Sequence, residues 1–215
     1  MTARFSGTDL VCLRGEKLLF TGLDFTLASG EVLLLLGPNG SGKSSLLRLM
    51  AGLLPPLSGR LAWDDRPVAR DREAHCARLG YLGHLDAIKP GLTVREHLAW
   101  HASLGDASRA PAALDAALAA LGITPLAEVP GRQLSAGQRR RVALARFLLR
   151  PASLWLLDEP TVGLDEDGVA RFRSLIDRHC RGGGMAVIAT HIALGIDENR
   201  MHVLRPGDFA PEQDS

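Results

Sequence analysis

Nine consecutive residues near the start of the chain have the types and spacing of a phosphate-binding loop. They read G-x-x-x-x-G-K-S plus one more serine, and they are Gly37, Pro38, Asn39, Gly40, Ser41, Gly42, Lys43, Ser44 and Ser45. Glycines let backbone N–H groups converge on a phosphate, and a following helix N-terminus adds partial positive charge. In this pattern the lysine reaches the β- and γ-phosphates, and the first serine hydroxyl holds Mg²⁺. The loop therefore predicts a site for a nucleoside triphosphate with Mg²⁺.

Two adjacent carboxylates later in the chain have the chemistry to complete such a site. Asp158 and Glu159 directly follow the apolar run 154–157. A buried strand that ends in Asp158 would bring an oxygen ligand for Mg²⁺ beside the loop. Glu159 could then polarise the attacking water as general base. Two carboxylates at a strand end are also typical of an ordinary solvated turn, and it is the upstream loop that favours the catalytic interpretation.

The elements needed to position these residues can be predicted from the hydrophobic pattern. The loop lies between an apolar run at 31–36 and a stretch with helical spacing at 45–51, which predicts strand, turn and helix. Short strands are expected at 9–13 and 23–27, with Gly15 and Gly22 as turns. Capping boxes starting at Thr93 and Ser135, and an N-cap at Asp165, predict three later helices. A buried strand is expected at 153–157, and further strands at 79–82, 185–189 and 201–204.

The composition excludes several classes of protein. With 25 basic and 24 acidic residues among 215, the formal charge is +1, so we expect no nucleic-acid partner. The three cysteines are far apart and form no C-x-x-C pair, which argues against zinc sites and disulfides. No apolar run is long enough to span a bilayer and no signal segment is visible. Any membrane attachment is therefore expected to come through a partner.

The order of the motifs resembles that of the ABC-transporter ATPases. After the loop come Leu134-Ser135-Ala136-Gly137-Gln138, the run ending in Asp158-Glu159-Pro160, then Gly163-Leu164-Asp165 and Thr190-His191, and the resemblance covers nearly the whole chain. It implies an α/β P-loop NTPase core, with a mainly parallel sheet and an antiparallel N-terminal β subdomain, plus a helical signature subdomain. The chain would form one domain, 1–215. Its core would lie at about 1–83 and 151–205, its helical subdomain at about 84–150 and a polar tail at 206–215.

The resemblance also implies roles for individual residues. The signature segment acting in trans would comprise Leu134, Ser135, Ala136, Gly137 and Gln138. Its Ser135 and Gly137 would contact the γ-phosphate of ATP held by an opposite copy, so the active form would be a nucleotide-bridged, head-to-tail homodimer. Asp165 would couple the two sites across that interface. His191 would sense the γ-phosphate and hold the attacking water together with Glu159.

Two positions depart from the common family pattern. His84 stands where the family usually has glutamine. An imidazole can donate to water or phosphate, but Mg²⁺ prefers oxygen ligands, so coupling to a membrane partner is the better assignment for His84. No aromatic residue lies near Arg14, where one usually stacks on adenine. The guanidinium plane of Arg14 could replace it, which predicts loose selectivity between ATP and GTP.

Two further groups of residues have more than one interpretation. His97 and His101 have the i,i+4 spacing of a metal-binding pair, yet no third ligand is nearby, which favours an ordinary surface or partly buried pair. Five arginines make the helix after the signature basic: Arg139, Arg140, Arg141, Arg146 and Arg150. They form either a solvated face or a surface attracted to ATP phosphates or anionic lipid headgroups.

Several local strings resemble one branch of the family, the ATP-binding subunit of the cytochrome c biogenesis haem exporter (the CcmA family). These strings are Tyr81-Leu82-Gly83-His84, the run 134–146, the run 154–160 and Ala189-Thr190-His191. The resemblance implies a peripheral ATPase on the cytoplasmic face of a bacterial inner membrane, bound to integral-membrane transporter subunits. It would power haem export and delivery, or release of a haem-loaded chaperone, next to haem-handling maturation proteins.

Three alternatives remain open. One is the ATPase of an exporter for a different small substrate. Another is a soluble, non-transport ABC ATPase acting on ribosomes or DNA. The single cassette, and the lack of sustained heptads between Lys43 and Ser135, argue against that second alternative. A nucleotide-binding regulator without turnover would require Glu159 to be idle.

Overall fold

A computed structural model describes residues 3–104, 110–192 and 194–211. The last four residues of the expected polar tail, 212–215, and residues 105–109 of the expected helical part lie outside the described residues. The strands are β1 (Arg4–Arg14), β2 (Lys17–Ala28), β3 (Val32–Leu35), β4 (Ser58–Trp63), β5 (Arg66–Pro67), β6 (Leu79–Leu82), β7 (Leu154–Asp158), β8 (Met185–Ala189) and β9 (Met201–Leu204). The helices are α1 (Lys43–Met50), α2 (Arg72–Ala77), α3 (Val94–Ser103), α4 (Ala110–Ala120), α5 (Ala136–Ala145) and α6 (Glu166–Arg181).

A parallel sheet forms the centre of the molecule, with the strand order β6-β7-β8-β3-β9. Its inner strands read as continuous apolar runs because both of their faces are buried. On β3, Val32 and Leu34 join one hydrophobic core with the later helices, whereas Leu33 and Leu35 join a second core with α1 and the N-terminal strands. The alternation of side chains along each strand thus separates two cores with one sheet.

An antiparallel sheet, with the order β2-β1-β4-β5, packs over the second core. Together the two sheets confirm the predicted fold class. The N-terminal strands are longer than expected. Gly15 lies in the turn between them, but Gly22 lies inside β2, so the prediction of a turn there was wrong. Gly22 (φ 64°) and Asp9 (φ 49°) both have left-handed backbones, and the pairing register shifts between Gly7 and Leu10, as at a β-bulge.

The helices begin where the capping residues predicted. The side chains of Thr93 and Ser135 each accept a hydrogen bond from the N–H of the third helical residue, and a glutamate or glutamine reaches back in both cases. Asp165 accepts from the N–H of Gly168 at the start of α6. Helix α5 ends at Ala145 and continues as a short 3₁₀ turn, Arg146–Leu148. These caps satisfy N–H groups that have no partner within their helix.

Candidate active site

The phosphate-binding loop joins the carboxyl end of β3 to the start of α1. Three of its glycines, Gly37, Gly40 and Gly42, have φ values of 139°, 84° and 95°, a region that costs little only for glycine. Gly42 is the N-cap residue of α1 and Lys43 is its first residue. The loop therefore directs backbone N–H groups and a helix N-terminus to one point, which suits an anion.

Lys43 holds its ammonium group against this loop. Its Nζ donates to the carbonyl oxygens of Gly37 at 2.6 Å and Pro38 at 3.0 Å, and the residue is 7% exposed. No carboxylate pairs with Lys43 in the part of the chain that the structure describes. A buried cation is costly unless it meets an anion, so this arrangement fits a bound phosphate.

Ser44 and Asp158 bring two oxygen atoms together across the sheet. The Ser44 hydroxyl donates to Asp158 Oδ1 at 3.1 Å, and Asp158, the last residue of β7, is buried. A hydroxyl and a carboxylate are hard oxygen donors of the kind that Mg²⁺ takes alongside waters and phosphates. These two residues therefore fit the metal, which when bound neutralises phosphate charge.

Glu159 and His191 meet at the same edge of the sheet, although 31 residues separate them in the chain. Because β7 and β8 are parallel neighbours, with Asp158 opposite Ala189, the residues that follow the two strands lie side by side. Glu159 Oε2 is 3.0 Å from His191 Nδ1. The backbone of Glu159 has a φ of 48°, and its N–H donates to Ala189 O at 2.9 Å. Strain of this kind is common where a side chain must be aimed.

A cavity of about 520 Å³ unites most of these groups. Asp158 and Glu159 line it beside the loop, and His84 enters it from the segment after β6. Arg14 lies at the same cavity, together with Lys17 and Leu19, which no motif had indicated. These two residues are two apart on β2 and so share a face, a period-two signal that could have identified them.

The signature residues line a different cavity, of about 390 Å³. Ser135, Gly137 and Gln138 lie there with Gly163, Leu164 and Asp165, and the first cavity includes none of them. The two groups pack backbone to backbone: a Cβ on Gly137 would lie 2.4 Å from Gly163 O. Glycine at 137 is therefore required by this close approach. The chain thus has two separate cavities, one at the phosphate-binding loop and one at the signature.

Arg141 holds Asp165 in place beside the signature. It pairs with Asp165 and, at 3.0 Å, with Asp167, and its guanidinium is mostly buried. The pKa of Asp165 lies below its ordinary value, chiefly because the Gly168 N–H donates to its carboxylate and secondly because Arg141 does. Of the two interpretations of the five arginines, a solvated face is wrong for Arg141 and for the buried Arg140.

Comparison with known proteins shows the family of the chain that carries these two cavities. The family model described as ABC transporter matches residues 20–162. The chain belongs to the ABC transporter family. A protein of Rhodospirillum rubrum named cytochrome c biogenesis ATP-binding export protein CcmA is 56% identical over 189 residues, which cover 88% of this chain and 80% of that protein. The protein of the same name from Pseudomonas putida is 44% identical and covers 98% of this chain and 100% of its own length.

The solved structure of cbiO1 from Clostridium perfringens, described as part of the ABC transporter complex cbiONQ, has a similar fold. It superimposes with a TM-score of 0.77 at 28% identity and covers 94% of this chain and 85% of its own. Family membership confirms the prediction of an ATP-binding ATPase subunit of a transport system.

Two structural findings concern membranes and metals. Within residues 3–104, 110–192 and 194–211, no helix is long and apolar enough to cross a membrane. In the same ranges no cluster of three or more histidine, cysteine or acidic side chains could hold a metal ion. His97 and His101 are in edge-to-face contact, with ring centroids 4.8 Å apart, and His97 is 1% exposed. They pack as a partly buried pair, as the sequence favoured.

Proposed function

We propose that this chain is the ATP-hydrolysing subunit of the transporter used in c-type cytochrome biogenesis. It would power haem export and delivery, or release of a haem-loaded chaperone, as a peripheral protein on the cytoplasmic face of the bacterial inner membrane. The observation that carries this proposal is the 44–56% identity to export proteins of cytochrome c biogenesis, over most of the chain. Integral-membrane transporter subunits and haem-handling maturation proteins are the partners that the proposal requires.

In the proposed reaction Glu159 is the general base for the attacking water. Its carboxylate accepts the water proton while the water oxygen attacks the γ-phosphorus. His191, 3.0 Å away, orients that carboxylate and responds to the γ-phosphate. Lys43 and the loop bind the phosphates, Ser44 and Asp158 hold Mg²⁺, and Arg14 lies against the base. His84 has access to the phosphate end of the cavity, from where it could report occupancy to a membrane partner.

The proposed active form is a head-to-tail homodimer with two bridging nucleotides. The support is the placement of Ser135 and Gly137 in a cavity apart from Lys43, because a helix N-terminus aimed at an anion then needs a second copy to supply the nucleotide. Asp165, packed beside the signature, would lie at the junction of the two sites. In this arrangement the core comprises about 1–83 and 151–205, and the helical subdomain about 84–150.

Replacing Glu159 tests the hydrolytic part of the proposal. Glu159→Gln should nearly abolish ATP turnover, retain ATP binding and stabilise an ATP-bound dimer, because the amide keeps the shape of the side chain but cannot take a proton. Glu73→Gln on α2 is the matched control, since Glu73 is exposed and lines neither cavity. Unchanged turnover in the Glu159→Gln chain would remove Glu159 from the general-base role.

The transport assignment is tested in the host cell. With Glu159→Gln as the only copy, haem-stained c-type cytochromes should disappear while membrane b-type cytochromes persist, and the Glu73→Gln strain should retain both. A mild-detergent pull-down of the wild-type chain should yield multi-span proteins and cytochrome c maturation proteins. Recovery of an unrelated permease would instead favour another small-substrate exporter. Recovery of only ribosomal or DNA-bound proteins would contradict a transport role.

A further inference from the structure

The guanidinium of Arg140 on α5 is buried against the segment 83–87, which follows β6. Arg140 is 5% exposed. Its Nη1 lies 3.1 Å from Asp86 Oδ1 in an ion pair. Nη2 donates to His84 O at 3.3 Å, and Nη1 makes a longer contact to Gly83 O at 3.5 Å. One side chain thus touches three of the five residues in this segment.

The segment held in this way is strained and borders the nucleotide cavity. Ala87 has a φ of 55°, a left-handed backbone that an L-alanine rarely adopts and keeps only when surrounding contacts impose it. His84 lines the cavity together with Lys43, Asp158 and Glu159. The contacts to Arg140 therefore fix the backbone at a residue of the cavity wall.

The N-terminal end of α5 carries the signature. The helix begins after the N-cap Ser135, and Arg140 lies five residues further on, about 7.5 Å along the helix axis. Its first turns are fixed by the capping box and by the close packing of Gly137 on Gly163. A helix this short moves as a rigid unit, so a force applied at Arg140 moves Ser135 as well.

We propose that Arg140 is a positioning residue that ties the His84 segment to the signature helix. The ion pair to Asp86 and the carbonyl contacts make the two move together. The same contact therefore links the His84 side of the nucleotide cavity to the signature face that the chain offers to the next copy. Arginine suits this role because its planar fork presents several donors to several acceptors at once, which a lysine cannot do. The inference rests on the proposed homodimer and names the residue that links its two half-sites.

A double-mutant cycle in the Glu159→Gln chain tests the link. The variants are Arg140→Gln, Asp86→Asn and their combination, with Arg140→Lys as the conservative change. The control is Arg181→Gln, because Arg181 has an exposed i,i+4 ion pair with Asp177 on α6 and touches neither cavity. The affinity for a fluorescent ATP analogue measures nucleotide binding at the phosphate-binding loop. Sedimentation with MgATP measures how strongly the ATP-dependent dimer forms. Hydrogen exchange of peptides covering 83–88 and 135–145 reports the contact itself.

The expected result separates dimer formation from nucleotide binding. Arg140→Gln and Asp86→Asn should weaken the ATP-dependent dimer about 2- to 30-fold, the range expected for residues that couple two sites, while ATP affinity of the monomer changes less than about twofold. The double variant should be no worse than Arg140→Gln alone, because that change already removes the ion pair that Asp86→Asn breaks. Arg140→Lys should recover part of the loss, and Arg181→Gln should match the parent.

Two outcomes would overturn the inference. One is a dimer of unchanged strength in both single variants, and the other is a loss in the double variant equal to the sum of the single losses. A parent that binds ATP yet stays monomeric would contradict the proposed homodimer instead. In that case hydrogen exchange within the monomer is the measurement that tests the role of Arg140. MgATP should slow exchange in both peptides of the parent, but only in peptide 83–88 of Arg140→Gln. An equal response of both peptides in that variant would refute the link.

Discussion

Adding a single methyl group at Gly137 should separate the signature from the segment that carries Asp165. A Cβ at this position would lie 2.4 Å from Gly163 O, a backbone atom that cannot rotate away. Because non-bonded atoms are most stable near 3.5 Å, the two backbones would have to part by about 1 Å. Overpacking of this kind costs about 1–3 kcal/mol. At about 2–4 °C per kcal/mol for a chain of this size, Gly137→Ala should lower Tm by about 2–12 °C.

The catalytic effect of the same change should be larger than its effect on stability. A displacement of about 1 Å at a positioning group can cost about 100-fold in rate, so steady-state ATP turnover should fall by about that factor. The affinity of the monomer for ATP should stay the same, since Gly137 does not line the loop cavity.

The matched control for this prediction is Gly91→Ala, where an added Cβ meets nothing within 4 Å. Differential scanning calorimetry, a coupled phosphate-release assay and binding of a fluorescent ATP analogue measure the three quantities. A Gly137→Ala chain with wild-type turnover and an unchanged Tm would show that the close packing on Gly163 is not needed.

Three further predictions concern the metal, the pH and the base. Ser44→Ala should raise the Kd of MgATP toward the value for ATP in EDTA, because the hydroxyl next to Asp158 is lost. An equal loss of ATP affinity with and without Mg²⁺, measured by calorimetry, would contradict this. Burial lowers the pKa of His97 to about 4, so the unfolded chain binds more protons between pH 4 and 6.5 and stability should fall as the pH drops through that window. His97→Phe should reduce the slope of the unfolding free energy against pH by up to about 1.4 kcal/mol per pH unit. Urea midpoints that depend on pH as steeply in His97→Phe as in the wild type would refute this prediction. With Arg14 as the contact for the base, kcat/KM for ATP and GTP should agree within about tenfold, since an exposed cation–π contact contributes about 0.5–1 kcal/mol; strict preference for ATP would count against it.

Features that depend on neighbours in the chain could be predicted from the sequence. The loop between β3 and α1 needs glycines at fixed spacing, and an apolar run and a helix on either side, all within about 20 residues. The caps at Thr93, Ser135 and Asp165 are likewise local, because a side chain satisfies N–H groups two or three residues away. The inner strands of the parallel sheet were recognisable because both of their faces are covered and nearly every position is apolar.

Gly22 shows why a local sequence signal fails when a turn and a β-bulge both need a residue with the same backbone conformation. A glycine with positive φ serves a tight turn and a β-bulge equally well. The choice between them was made by the pairing of β1 with β2, which continues past Gly22 to Arg14 and Lys17. The same pairing brought Lys17 and Leu19 to the nucleotide cavity.

The arginines of α5 show that residue type alone does not predict which contacts a side chain makes. Arg139, Arg140 and Arg141 are consecutive and chemically identical, yet each points in a different direction from the helix. Arg139 donates to Leu134 O, Arg140 forms an ion pair with Asp86 in the segment after β6, and Arg141 pairs with Asp165 and Asp167. Successive residues on a helix are rotated by about 100°, so what each one meets depends on the elements packed around it.

By itself, therefore, the sequence determined the phosphate-binding loop, the caps and the carboxylates that end β7, because each is encoded by residues close together in the chain. Only the tertiary structure decided that Glu159 meets His191, that the signature lies in a separate cavity from the loop, and that Arg140 holds the segment of His84. These contacts join residues 32 to 56 positions apart, and strand order and helix packing bring them together through hydrophobic burial that no short motif specifies.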